Sequence, residues 1–254
     1  MKTWKITLEY DGTKYSGWQE QKNARTIMGQ LRKAAEEALG MDVDLQGAGR
    51  TDAGVHALGQ VAHLRANTRE RIPPSRLLRE LNDRLSADIA VLDVEEKPNR
   101  FHARHDALSR SYVYQISTRK NAFSKRHVWW IKESLDVDLM REAALRLAGR
   151  HDFACFRAPD PSKPDESTIV AVASAGLEQH GDLLIFRIEA SHFLWRMVRR
   201  ITGVLVKLGK GDIRMEDFET LLEARCDARF KVPEWTAPSA GLFLERVRYR
   251  GEAD

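Results

Sequence analysis

Residues 3–10 read "TWKITLEY", with Trp4, Ile6, Leu8 and Tyr10 on alternate positions and polar groups between them. A period of two is that of a half-buried β-strand. Further along, Thr26 can cap a helix that runs through Leu39 and stops at Gly40, with Ile27, Leu31, Ala34, Ala35 and Ala38 at helical spacing. Short strands are expected near 42–47 and 58–65. A helix over about 75–85 follows "PPS", and a strand over 88–95, "DIAVLDVE", completes the order β-α-β-β-α-β.

The rest of the chain repeats that order. Tyr112, Tyr114 and Ile116 alternate on a strand over 107–117. A helix over about 138–148 ends at Gly149, strands cover about 168–176 and 183–190, and "FLWRMVRRITGVLVKL" gives an amphipathic helix over 193–208. A short helix over 215–224 precedes a closing strand over 241–249. The fold class expected is α+β: two tandem ferredoxin-like halves whose antiparallel sheets join around a wide central cleft. The halves are 1–105, carrying a glycine-rich loop, and 106–254, and no Pro/Gly/Ser linker separates them.

At 254 residues, 43% hydrophobic and 31% charged, the chain has the composition of a globular protein with a sizeable core. A net charge of +4 and a pI near 9.1 hint at a polyanionic partner. No apolar run approaches the ~18 residues needed to cross a bilayer, and the start "MKTWKITLEYDG" lacks the apolar core of a signal peptide. Cys155 and Cys226 lack paired spacing, so neither a zinc site nor a disulfide is expected, and a reducing cytoplasm fits best.

Residues 46–63, "QGAGRTDAGVHALGQVAH", surround Arg50 and a single carboxylate, Asp52, with four glycines. An aspartate beside glycine often only stabilises a turn. The alternative is an acid held on a pliable loop for chemistry, as nucleophile, general base or metal ligand. A metal would recruit His56, His63, His102 or His105, and "FHARHD" does offer two histidines three apart. That segment also reads as a basic surface loop. A glycosidase would want a second carboxylate, which the loop lacks. The "GAG" tripeptide has no helix directly behind it, which a dinucleotide cradle requires.

Tyr112, on its strand, is either core or an RNA-facing aromatic, with Arg110 beside it and the basic run "RKNAFSKRH" further on. Arg199 and Arg200 share a helix with Phe193, Leu194, Met197, Val198 and Ile201, so one arginine should point into an enclosed space and need a carboxylate such as Asp52. Trp129 and Trp130 of "HVWWIK" suit either a subunit contact or the core.

"YDGTKYSGWQEQ", "GAGRTDAGVHALGQVAH", "RFHARHDALSRSYVYQI", "FLWRMVRRITG" and "TAPSAGLFLERVRY" occur in the order seen in the tRNA pseudouridine synthase A family, and the chain resembles that family from about residue 5 to 249. The resemblance implies a cofactor-free enzyme, homodimeric, that isomerises uridine to pseudouridine at positions 38, 39 and 40 of the tRNA anticodon stem-loop, a reaction that needs no metal. Asp52 matches the catalytic aspartate and Arg50 the arginine linked to extrusion of the target nucleotide. Tyr112 matches the active-site tyrosine and Arg199 the arginine that pairs with the aspartate. Arg110, Lys120, Lys125 and Arg126 are the expected phosphate contacts. Uracil must leave C1′ through N1, turn over and rebond through C5. Attack on C1′, addition to C6 and abstraction of a ribose proton are all open to one carboxylate. Met28, where glutamine is common, and the segments 157–167 and 229–235 depart from the family pattern.

Overall fold

A computed structural model describes residues 1–160 and 165–252; part of the divergent segment 157–167 therefore lies outside the described residues. The chain divides into two compact units, Met1–Leu108 with Phe243–Asp254, and Ser109–Leu242.

In the first unit the elements are β1 (Lys2–Tyr10), α1 (Ile27–Leu39), β2 (Val43–Gly47), β3 (His56–Ala66), α2 (Pro74–Arg84) and β4 (Ile89–Lys97). Strand β1 is antiparallel to β3 on one side and to β4 on the other, and β2 pairs with the C-terminal part of β3. The strand β10 (Leu242–Tyr249) runs parallel beside the start of β3, with Phe243 opposite His56 and Leu244 opposite Ala57. Helix α1 begins and ends where the sequence indicates. Thr26 accepts a hydrogen bond from the Gly29 N–H, and Gly40 takes the left-handed conformation.

Trp4, Ile6 and Leu8 are fully buried with Leu31, Leu45, Leu64 and Leu81. The alternation on β1 is less complete than expected, because Thr3 and Lys5 on the other face are buried too. A central strand has a neighbour on each side, and Lys5 Nζ is held there by Glu95 Oε1 at 2.8 Å and by Glu252.

The second unit contains β5 (Ala107–Ser117), β6 (Trp129–Trp130), α3 (Val137–Leu145), β7 (Gly149–Asp152), β8 (Ile169–His180), β9 (Leu183–Ala190), α4 (Met197–Gly209) and α5 (Met215–Leu222). Strand β9 lies antiparallel between β5 and β8; β7 extends the order beyond β8, and β6 pairs in parallel with the end of β5. Two differences from the sequence reading have local causes. Helix α4 starts at Met197 and not at Phe193, because Arg196 sits at φ +59, outside the right-handed helix. Gly149 opens the strand β7 at φ +113, and α3 has already ended at Leu145.

Cys155 and Cys226 form a disulfide with a Cα–Cα distance of 5.2 Å, which corrects the expectation of two unpaired thiols. Cys155 lies on a short 3-10 turn, Ala154–Phe156, and Cys226 just after α5. Their separation of 71 residues hides the pairing in sequence, and only the packing of those two segments brings them together.

Candidate active site

Asp52 lies on the loop 48–55 that joins β2 to β3, and the segment 10–18 following β1 braces that loop. The Trp18 N–H donates to the Thr51 carbonyl at 3.0 Å, and the Gly54 N–H to the Tyr15 carbonyl at 3.3 Å. The Tyr10 and Thr51 hydroxyls are 2.8 Å apart. Burial pushes the Tyr10 hydroxyl up to about 12, so it serves as a neutral hydrogen-bonding strut. Gln60 Nε2 donates to the Gly49 carbonyl at 3.2 Å, and the Val55 N–H to the Asp52 carbonyl at 3.1 Å, which closes a tight turn around the acid.

Close approach of the two segments depends on Gly17, at φ +93 against the backbone of Thr51 to Ala53. The result is a backbone fixed on both sides of a half-exposed carboxylate, with Arg50 exposed two residues before it. At the far end of the loop, buried His56 accepts a hydrogen bond from the Gly12 N–H at Nδ1, lies 3.2 Å from Asp11 Oδ1, and stacks on Phe243 at 4.7 Å.

The sequence reading named four histidines as possible metal ligands. In the structure His56, His63 and His102 each use Nδ1 to accept a backbone N–H, from Gly12, Ala103 and Arg104 respectively. His56 and His63, on β3, thereby stitch loops to that strand, whereas His102 closes a turn within its own loop. Burial, and then the nearby charges of Arg65 and His102, push His63 down to about 4, so it is neutral at physiological pH.

In the second unit Tyr112 stands on β5 opposite Ile188 of β9, is buried, and meets the Phe193 ring edge-on at 4.9 Å. Two residues earlier on the strand, Arg110 donates to the Ser191 carbonyl at 3.0 Å, so β5 and the turn after β9 are fastened beside the tyrosine.

Arg199 and Arg200 divide the roles that the sequence left open. Arg200 is the more buried, with 6% of its surface exposed, and it donates to the Arg157 carbonyl. Arg199 is half-buried, and its Nε donates to the Ala237 carbonyl at 2.8 Å while its own carbonyl accepts the Ala237 N–H at 3.0 Å. A side chain at Gly203 would collide with the Trp235 carbonyl, so only glycine lets α4 approach this segment. Tyr114 donates to the Pro238 carbonyl at 2.7 Å, and burial raises its hydroxyl, a shift that the charge of Arg199 opposes. The stretch "TAPSAGL" is thus pinned by Arg199 and Tyr114 at adjacent carbonyls. Sequence reasoning missed Tyr10, Thr51, Gln60 and Tyr114, whose signal was only a polar atom on an otherwise apolar strand or loop.

With this geometry in view, the relationship to known proteins is clear. The family described as tRNA pseudouridine synthase matches residues 6–106 and 143–250. The chain belongs to that family, and so to the isomerases that make pseudouridine in tRNA. It is 40% identical over 246 residues to the tRNA pseudouridine synthase A of Thermoanaerobacter sp. (strain X514), covering 96% of this chain and 98% of the relative. It is 41% identical over 252 residues to that of Geobacter sp. (strain M21), with 98% and 99% covered. It is 40% identical over 257 residues to that of Citrifermentans bemidjiense, over the whole of both chains.

Proposed function

We propose that this enzyme isomerises uridines 38, 39 and 40 of the tRNA anticodon stem-loop, with Asp52 as the catalytic carboxylate and no cofactor. The observation that carries the reading is the bracing of the 48–55 loop, which holds a half-exposed acid in a fixed backbone turn with an exposed arginine two residues away. Preorganised placement of one reacting group removes an entropic cost from the chemical step. A uridine in a helical stem must leave the stack before its C1′ can be reached, at a cost of roughly a few kcal/mol. Arg50, exposed beside the acid, is suited to contact the extruded nucleotide or fill its place.

Tyr112 and Arg199 enter this reading through the resemblance, as the residue that stacks on uracil and helps remove the C5 proton and as the cation that accompanies the aspartate. Arg110, Lys120, Lys125 and Arg126 supply phosphate contacts, which suit recognition of many tRNA sequences. The ferredoxin-like reading of each half, the homodimer and a cytoplasmic location belong to the same proposal. Among the described residues no helix is long and apolar enough to cross a membrane. The test is pseudouridine mapping of total tRNA from cells with and without this gene. Loss of modification at 38–40 supports the reading, and unchanged modification there overturns it.

A further inference from the structure

The loop between β5 and β6 carries an aromatic ring with almost no contact to the protein. Phe123 is 96% exposed, the most exposed large hydrophobic side chain among the described residues. A single exposed apolar side chain is ordinary. Three features set this one apart.

First, the ring is presented by a structured turn. Asn121 Oδ1 accepts hydrogen bonds from the Phe123 N–H at 3.0 Å and the Ser124 N–H at 3.2 Å, and the His127 N–H donates to the Ser124 carbonyl at 2.8 Å. Second, both ends of the loop are tied down. Thr118 N–H donates to the Asp182 carbonyl at 2.9 Å, and Ile131 N–H to the Ser117 carbonyl at 2.9 Å. Third, the loop's own charged residues are all cations, of which Arg119 is paired with Asp182 at 2.9 Å. Residues 119–127, "RKNAFSKRH", hold Arg119, Lys120, Lys125 and Arg126 and no acid. Trp130, 42% exposed at the base of the loop, has Lys120 Nζ at 5.7 Å from its ring centroid.

We propose that Phe123 is an RNA-stacking residue, which receives an unpaired base of the tRNA while the flanking cations hold the adjoining phosphates. This rests on the reading of tRNA as substrate and adds to it a specific contact. An aromatic ring among cations matches the chemistry of a single-stranded nucleic acid, which offers a π-face and a negative backbone at once. Every base has such a face, so the contact strengthens binding without restricting which tRNA is bound.

The test compares wild type, Phe123→Ala, Phe123→Trp and Lys125→Ala, each as the full-length protein, for affinity and steady-state kinetics on an unmodified tRNA transcript. Stacking is worth about 1–3 kcal/mol per base, about 5- to 150-fold in binding. Phe123→Ala is expected to raise Kd and KM together by about ten-fold, with kcat falling less than about three-fold. Phe123→Trp should restore both. The dependence of log Kd on log salt should keep its slope in Phe123→Ala and lose about 0.7–0.9 in Lys125→Ala, since only the second variant removes a phosphate contact. Kd and KM within two-fold of wild type in Phe123→Ala would overturn the proposal. So would a loss of binding to anionic phosphatidylglycerol vesicles, or a change in sedimentation, with tRNA affinity intact, because the ring would then serve a membrane or a second protein. Failure of the wild type itself to bind or modify the transcript would instead strike the reading of the substrate.

Discussion

Gly17 and Thr51 meet backbone to backbone: a Cβ at Gly17 would lie 2.6 Å from the Thr51 carbonyl oxygen, and the glycine φ is +93. That oxygen is already the acceptor for the Trp18 N–H. Gly17→Ala therefore meets both backbone strain and a collision one residue from Asp52. A destabilisation of about 1–3 kcal/mol is expected, read as a lowered midpoint in urea, with a larger loss of kcat than of tRNA affinity. A variant as stable and as active as wild type would show that the brace is dispensable.

Asp52→Asn keeps the shape of the side chain and removes the charge that nucleophile or base chemistry needs. We expect tRNA binding within a few-fold of wild type and product formation reduced by at least about a thousand-fold. Tyr112→Phe, which keeps the ring that meets Phe193, should bind equally well and stall in turnover. Turnover by Asp52→Asn near the wild-type rate would make the carboxylate a turn-former only.

His63 is buried, its Nδ1 accepts the Ala103 N–H, and its protonation is held down to about 4 against an ordinary 6.5. Below pH 6.5 the unfolded chain therefore takes up a proton that the folded chain refuses. Stability is full above that pH and falls as pH drops toward 4, by about 2–3 kcal/mol from this group. His102, lowered first by burial and then by His105, adds in the same direction. Thermal melts of wild type and His63→Gln between pH 7 and 4 should converge as the pH falls. Parallel curves would exclude His63 as the source.

The Cys155–Cys226 bond closes a long stretch of chain, with a sequence separation of 71. By loop-closure entropy such a crosslink is worth up to about 4 kcal/mol. Cys226→Ser, and wild type treated with a dithiol reductant, should lose the same amount of stability. A reductant that destabilises the wild type but also the Cys226→Ser variant would point to another cause.

Most of the elements were legible because each unit alternates elements of clear period. The face of β1 formed by Trp4, Ile6, Leu8 and Tyr10, the Thr26 cap and the Gly40 stop all follow from local rules. Asp52 was legible as a candidate because glycine is so concentrated around it. What the sequence concealed was non-local. The burial of Lys5 depends on Glu95 and Glu252, far along the chain. The start of α4 depends on one residue, Arg196, entering the left-handed region. The choice between Arg199 and Arg200 for the enclosed position depends on which carbonyls, Ala237 or Arg157, lie across from each. Pairing of the two cysteines is of the same kind.

The parallel pairing of β10 with β3 has a temporal meaning for biosynthesis. The first unit contains Met1–Leu108 but also Phe243–Asp254, whereas the second, Ser109–Leu242, is one uninterrupted run. Phe243 stacks on His56, and Tyr249 donates to the Ala103 carbonyl at 2.5 Å. Because the ribosome delivers the chain from its N-terminus, the first unit must wait, with the flank of β3 uncovered, until β10 emerges. The middle of the chain is complete before its beginning is. A nascent chain stalled before residue 243 would thus carry the whole of the second unit but an unfinished first one, and the β3 strand that follows the Asp52 loop would gain its parallel neighbour only once Phe243 and Leu244 have emerged.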